Sequence, residues 1–122
     1  MELNEYQKKA MATCMPSCDN VAYMLLNLTA EVGELAGKIA KDIRKGLVNI
    51  ENCDLCFTYE GGYEEELERK EEYKKEAGDV LWQLSGLCKV MGWDLEDVAQ
   101  CNLDKLASRQ KRGVIDGDGD NR

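Results

Sequence analysis

The sequence predicts an all-α chain, a bundle of four to five helices. Three features carry that expectation. Val21, Leu25, Leu28, Val32, Leu35, Ile39 and Ile43 step by three or four residues, the period of one helix face, where a strand would alternate in twos. Ala77, Val80, Leu81, Leu84, Leu87, Cys88 and Met91 repeat the pattern further along. Between and after these runs stand helix-ending residues, namely the single proline, Pro16, and Gly46, Gly92 and Gly113.

Taken in order, a short first helix is expected from Leu3 to Met15, where Pro16 interrupts it because proline disfavours helical backbone in the residue before it. Asp19 is placed to cap a long second helix that runs to Lys45 and stops at Gly46. Residues 47–62 break the periodicity and read as an insertion. Asn49, Asn52, Asp54, Gly61 and Gly62 are turn formers there, and Leu55 to Tyr59 fit a short strand or a loop. The third helix is expected from Tyr63 to Met91. Its first half, Glu64 to Glu76, is mixed charge with only Leu67 and Tyr73 apolar, which suits a protruding, solvated stretch. Asp94 caps a fourth helix through Lys111, and residues 113–122 form an irregular tail rich in glycine and aspartate. The whole chain, 1–122, reads as one domain. Its second and third helices would each extend roughly 40 Å, against a radius of gyration of about 14 Å for a compact chain of this length. Apolar stripes that long leave surface bare in a monomer, so homo-oligomerisation is the default expectation.

Composition excludes several chemistries. With 24 acidic against 16 basic residues the formal charge is −8, and there is no histidine. A Ser-His-Asp triad, a Cys-His pair and any histidine metal site are ruled out, and a basic face for nucleic acid is not expected. A polyanionic substrate would need its positive charge from elsewhere, and a divalent cation is the obvious supplier. The apolar run from Val21 to Leu26 is too short to span a bilayer. The N-terminus has no basic region followed by an apolar one. A cytoplasmic chain with no membrane partner and reduced thiols is therefore expected. Of the six cysteines, Cys88 lies on an apolar stripe and suits core filling. Cys14, Cys18, Cys53 and Cys56 could hold zinc in principle, but the first pair is loosely spaced for it.

The informative residues are carboxylates on the two long helices. Glu31 and Glu34 form an E-x-x-E, and Glu76 and Asp79 an E-x-x-D. Residues three apart lie about one turn apart on one side of a helix. Antiparallel packing of the two stripes would bring four carboxylates to one edge of the interface. Such a group needs a cation, and oxygen-only ligation selects Mg²⁺ or Mn²⁺ over zinc. The plainer alternative is a pair of solvated faces, with Glu34 and Lys38 in the favourable i, i+4 order. A glycine sits inside each pair, Gly33 and Gly78, and a mid-helix glycine costs about 1 kcal/mol relative to alanine. Close helix approach, or room for a ligand, would account for both.

Glu31-Val32-Gly33-Glu34-Leu35 followed by Glu76-Ala77-Gly78-Asp79-Val80-Leu81-Trp82 resembles the MazG-like all-α nucleoside triphosphate pyrophosphohydrolases, and Asn102, Lys105 and Arg109 are similar to that family's phosphate-contacting segment. The resemblance covers residues 3–122. It implies a helical bundle completed as a homodimer or homotetramer, with Mg²⁺ held by Glu31, Glu34, Glu76 and Asp79. It further implies hydrolysis of a nucleoside triphosphate substrate to the monophosphate and pyrophosphate, with water attacking the α-phosphorus. Glu31 or Glu34 would position or deprotonate that water. Lys105 and Arg109, helped by Lys41, would hold the leaving pyrophosphate. Asn102 would bridge phosphate or sugar, and Trp82 would stack on a base or simply pack. Two departures stand out. Ala30 occupies the position of the family's first glutamate, which bears on the number of metals. The gap between Glu34 and Glu76 is lengthened by the insertion, which bears on substrate preference. A phosphoribosyl-ATP-type pyrophosphohydrolase and a non-catalytic helical oligomer are the alternatives. The tail Asp116-Gly117-Asp118-Gly119-Asp120 is not a calcium loop, since glycine six and the closing glutamate are missing.

Overall fold

The computed structural model describes residues 1–58 and 62–122. The order is α1 (Leu3–Met11), a single 3-10 turn (Pro16–Cys18), α2 (Val21–Arg44), β1 (Val48–Glu51), β2 (Asp54–Phe57), α3 (Gly62–Val90) and α4 (Leu95–Lys111). The helical class and all four helices agree with the periodicity. None of these helices is long and apolar enough to cross a membrane.

Local chemistry explains where the elements begin and end. α1 stops at Met11 rather than Met15, because Thr13 turns back to the Ala10 carbonyl through both its amide and its hydroxyl. Pro16 then holds Met15 in an extended conformation (ψ 149°). The cap of α2 is Asn20, not Asp19. The Asn20 carboxamide oxygen accepts from the Tyr23 amide at 2.8 Å, while Asp19 pairs with Lys89 of α3 at 3.0 Å. α2 closes with a left-handed Gly46 (φ +74°), and α3 is followed by an equivalent Gly92 (φ +76°). In both, the next residue donates back to the third-last helical carbonyl, Leu47 to Asp42 and Trp93 to Cys88.

Asp94 precedes α4 as expected, but its side chain makes no cap bond. The free amides of α4 are satisfied from α1 instead. Leu95 N–H donates to the Gln7 side-chain oxygen and Glu96 N–H to that of Asn4, both at 3.0 Å. Gln7 also donates to the Ser85 and Trp93 carbonyls, so one buried amide fastens α1, α3 and α4 together.

α2 and α3 run antiparallel, with Met24 beside Gly86, Asn27 beside Gln83, and Asp42 beside Arg69. α1 crosses one end of this pair, where Met24 (0% exposed), Ala10 and Met11 form the core with Tyr6, Cys14, Trp82, Leu87 and Val90 around them. Gly86 permits that approach, since a Cβ there would lie 2.4 Å from the Met24 sulfur. The inward stripe of α2 is rotated from the expected one. Met24 and Asp42 are buried and Leu28, Leu35 and Ile39 half-buried, whereas Val21, Leu25, Val32 and Ile43 are exposed. On α3 Cys88 is buried as expected, but Leu81 and Leu84, and Met91 just past its end, are exposed and Gln83 and Ser85 are buried. With Leu103 and Leu106 of α4, these side chains leave much apolar surface bare on a single chain.

The segment after α2 is a hairpin, so the strand alternative holds for Leu55 to Phe57, with a second strand before it. Its two-residue turn places Asn52 and Cys53 at positive φ (52° and 64°), the geometry that suits a tight hairpin. Val48 is buried at its base and Lys70 lies over the Phe57 ring at 5.4 Å. Tyr59 and Gly61 of the expected insertion lie outside the described residues. The six cysteines are free, and among the described residues the thiols form no cluster fit for zinc.

Candidate functional site

The antiparallel register brings three of the four acidic residues together. Glu31 of α2 and Glu76 and Asp79 of α3 each offer a carboxylate oxygen, and these oxygens lie within 4.8 Å of one another. Three like charges at that spacing repel by roughly 1 to 4 kcal/mol per pair, depending on the local dielectric. The donor set is all oxygen, with room for water and phosphate to complete a shell, which fits a hard divalent cation such as Mg²⁺ or Mn²⁺. Glu34 is not in the cluster and is exposed.

Two of the three carboxylates are held from outside. Lys38 places its ammonium 2.6 Å from Glu76 and 3.2 Å from Glu72, and those bonds raise its pKa, Glu76 first. The Lys38 partner is thus across the helix pair rather than Glu34 on its own helix. On the other side the Asn27 amide donates to Glu31 at 3.2 Å and to the Gln83 side-chain oxygen at 2.8 Å. Tyr6 of α1 is near enough to Asp79 that its phenol pKa is raised, chiefly by burial and then by that charge. Gly33 and Gly78 face open space, with nothing within 4 Å of a Cβ built on either. Close helix approach therefore does not explain these glycines, and room beside the carboxylates remains.

The basic residues expected at the substrate lie on α2 (Lys41) and α4 (Lys105 and Arg109). Lys41 is exposed near the end of α2 and has no ion pair among the described residues. Asn102 and Lys105 line an open cleft of about 500 Å³ on α4 with Trp93, Val98 and Cys101. Arg109 is only 5% exposed and is engaged by the tail. Its terminal nitrogen donates to the Gly119 and Asp120 carbonyls and to the Asp120 carboxylate at 3.1 Å. Lys105 reaches the same carboxylate at 3.2 Å, and this pair of cations, Lys105 first, holds the Asp120 pKa below its usual value. Arg122 fastens the turn by donating to the Val114, Ile115 and Gly119 carbonyls. The tail is thus a folded strap, and among the described residues no hydrogen bond or ion pair joins Lys105 or Arg109 to the three carboxylates. Trp82 is half-buried against the core, its indole N–H donating to the Ala10 carbonyl at 3.1 Å and the Thr13 hydroxyl at 3.0 Å.

The acidic motifs do not reveal two groups that touch the cluster, Asn27 and Lys38 in its cross-helix role, nor Gln83 behind Asn27. The available signals were a polar Gln83 within an apolar run and Asn27 one turn before Glu31.

Residues 20–114 match the family model of the MazG nucleotide pyrophosphohydrolase domain, a span that includes both acidic pairs and Asn102, Lys105 and Arg109. The chain is also similar to the gene 37 protein of Mycobacterium phage L5, with 34% identity over 131 residues that cover all of both chains. No solved structure matches.

Proposed function

The chain belongs to the MazG nucleotide pyrophosphohydrolase family, and on that premise we propose that it is a Mg²⁺-dependent nucleoside triphosphate pyrophosphohydrolase. The observation that carries this reading is the convergence of Glu31, Glu76 and Asp79 across the α2–α3 pair. A divalent ion held by these carboxylates would neutralise phosphate charge and polarise the phosphoryl oxygens. Glu34, one turn beyond Glu31 and solvent-accessible, is assigned to orient the attacking water and take its proton. Water adds to the α-phosphorus, the bond from that phosphorus to its bridging oxygen breaks, and pyrophosphate leaves. Lys105, Arg109 and Lys41 are assigned to that leaving group, and Asn102 to phosphate or sugar. Trp82 offers the exposed part of its ring to a base while its indole N–H stays anchored to α1. The exposed apolar residues of α2, α3 and α4 support a homodimer or homotetramer of this one domain, a second copy covering Leu25, Leu26, Leu103 and Leu106.

Pyrophosphate release from a panel of canonical and modified NTPs and dNTPs, with and without Mg²⁺, tests the activity. Turnover of at least one nucleotide that stops on chelation is expected. No turnover of any nucleotide by protein shown to bind Mg²⁺ overturns the enzyme reading.

The strap adds a second expectation. Asp120 pairs with both cations assigned to pyrophosphate and offsets one of their two charges, so substrate must displace it. Asp120→Asn is expected to lower KM by about two- to fivefold with kcat little changed, the modest scale reflecting the exposed Asp120 carboxylate, whose pairing is screened by water. An unchanged KM in steady-state kinetics separates the strap from substrate binding.

A further inference from the structure

Gln83 is 1% exposed, in the C-terminal third of α3, and every polar atom of its amide is used. Its nitrogen donates to the Met24 carbonyl at 3.4 Å and meets the Met24 sulfur at 3.1 Å. Its oxygen accepts from Asn27 at 2.8 Å. A methionine or leucine would fill that space beside Met24 without needing partners, so packing does not account for a glutamine there. What the glutamine does, and an apolar residue cannot, is hold the Asn27 amide. That amide has two hydrogens, one directed to Gln83 and the other to Glu31 at 3.2 Å. The chain of contacts runs from the buried core glutamine through the half-buried asparagine to the half-buried carboxylate at the cluster.

From this arrangement we infer that Gln83 and Asn27 form a positioning relay that fixes the Glu31 carboxylate for the divalent cation. The inference rests on the metal reading proposed above. A free glutamate samples many rotamers and loses that freedom on ligation. Glu31 is instead held before the cation arrives, as Glu76 is by Lys38 on the opposite side. Neither Asn27 nor Gln83 touches substrate or metal; both act through Glu31. Hydrogen-bond partners of metal ligands typically change metal affinity or activity by about 10- to 100-fold when removed.

Mn²⁺ binding to the full chain, followed by electron paramagnetic resonance without nucleotide, tests the relay. Asn27→Leu keeps side-chain size at a half-buried position and is expected to weaken Mn²⁺ binding by about 10- to 100-fold. Gln83→Met is expected to weaken it in the same direction. The double variant is expected to be no weaker than Asn27→Leu alone, because Gln83 acts only through Asn27. Because Asn27 and Gln83 touch, lost packing alone would also be non-additive, so thermal unfolding that stays unchanged beside weakened Mn²⁺ binding is what separates the relay from a merely structural role. Asp79→Asn supplies the reference for loss of a ligand. If Asp79→Asn abolishes binding while Asn27→Leu binds like the unaltered chain, the relay is wrong and the metal reading stands. If the unaltered chain binds no Mn²⁺, the metal reading fails and the relay with it. Additive effects of the two substitutions remove Gln83 from the relay.

Discussion

Asp79→Asn is expected to lower kcat/KM by about a thousandfold while leaving the fold intact. The size follows from what a metal ligand does. Lewis-acid stabilisation of phosphoryl transfer amounts to several kcal/mol, and each 1.36 kcal/mol is a factor of ten in rate. Asp79 is exposed, so replacing its carboxylate by an isosteric amide belongs with the surface substitutions that shift stability by no more than about 0.5 kcal/mol. Unchanged thermal unfolding beside collapsed activity therefore separates loss of the site from loss of structure. Glu34→Gln gives the contrast. Glu34 lies outside the cluster, so if it orients and deprotonates water its loss should lower kcat with Mn²⁺ binding retained. Full activity of Asp79→Asn in a pyrophosphate-release assay would sink the site assignment.

The different fates of Glu31 and Glu34 show where motif spacing stops being informative. Three residues on a helix amount to about 300° of rotation, so members of an E-x-x-E diverge by roughly 60°. Spacing says that both lie on one side; only the partner helix decides which one meets Glu76 and Asp79. The same holds for the rotated stripe of α2, where Val32 and Met24 are both apolar and the position of α3 buries one and bares the other. The helices themselves were legible because their period is local, and so were the glycine stops, since a left-handed residue after the last turn is a local need. Asp19 and Asn20 are both good caps side by side, and a contact with Lys89, distant in sequence, decided between them. The β1 strand is four residues among turn formers, too short for alternation to register. The burial of Gln7 had no local signal, and that of Gln83 only its place in an apolar run, for a related reason. A polar residue goes inside only when its partners come from other helices.

Asp42→Ala is expected to cost about 3 kcal/mol of folding stability, read from chemical denaturation. Asp42 is 2% exposed near the end of α2, where its carboxylate accepts from the Arg69 guanidinium at 2.7 Å and from the Tyr73 hydroxyl on α3. Removing one partner of a buried ion pair typically costs about 3–5 kcal/mol, because the other charge stays buried without compensation. Arg69 keeps a side-chain exposure of 22% and can recover some hydration, which places the loss at the lower end. Asp42→Asn, which keeps an acceptor and loses the charge, is expected to fall between. A pH arm identifies the network. Burial first, and the bond to Asp42 second, push the Tyr73 phenol up to about 12 from its ordinary 10. Because the folded pKa is the higher, this contribution is complete below pH 10 and is lost as pH rises through 12. In Asp42→Ala the burial cause persists and the hydrogen-bond cause is gone, so the decline should begin in the same place and end at lower pH. The consequence reaches the carboxylates. One turn from Asp42, Lys38 bridges to Glu72 and Glu76, so the same α2–α3 register that seats Arg69 on Asp42 sets Glu31 opposite Glu76 and Asp79. Weakened Mn²⁺ binding in Asp42→Ala, under conditions where the protein remains folded, is the result that ties this end of the helix pair to the site.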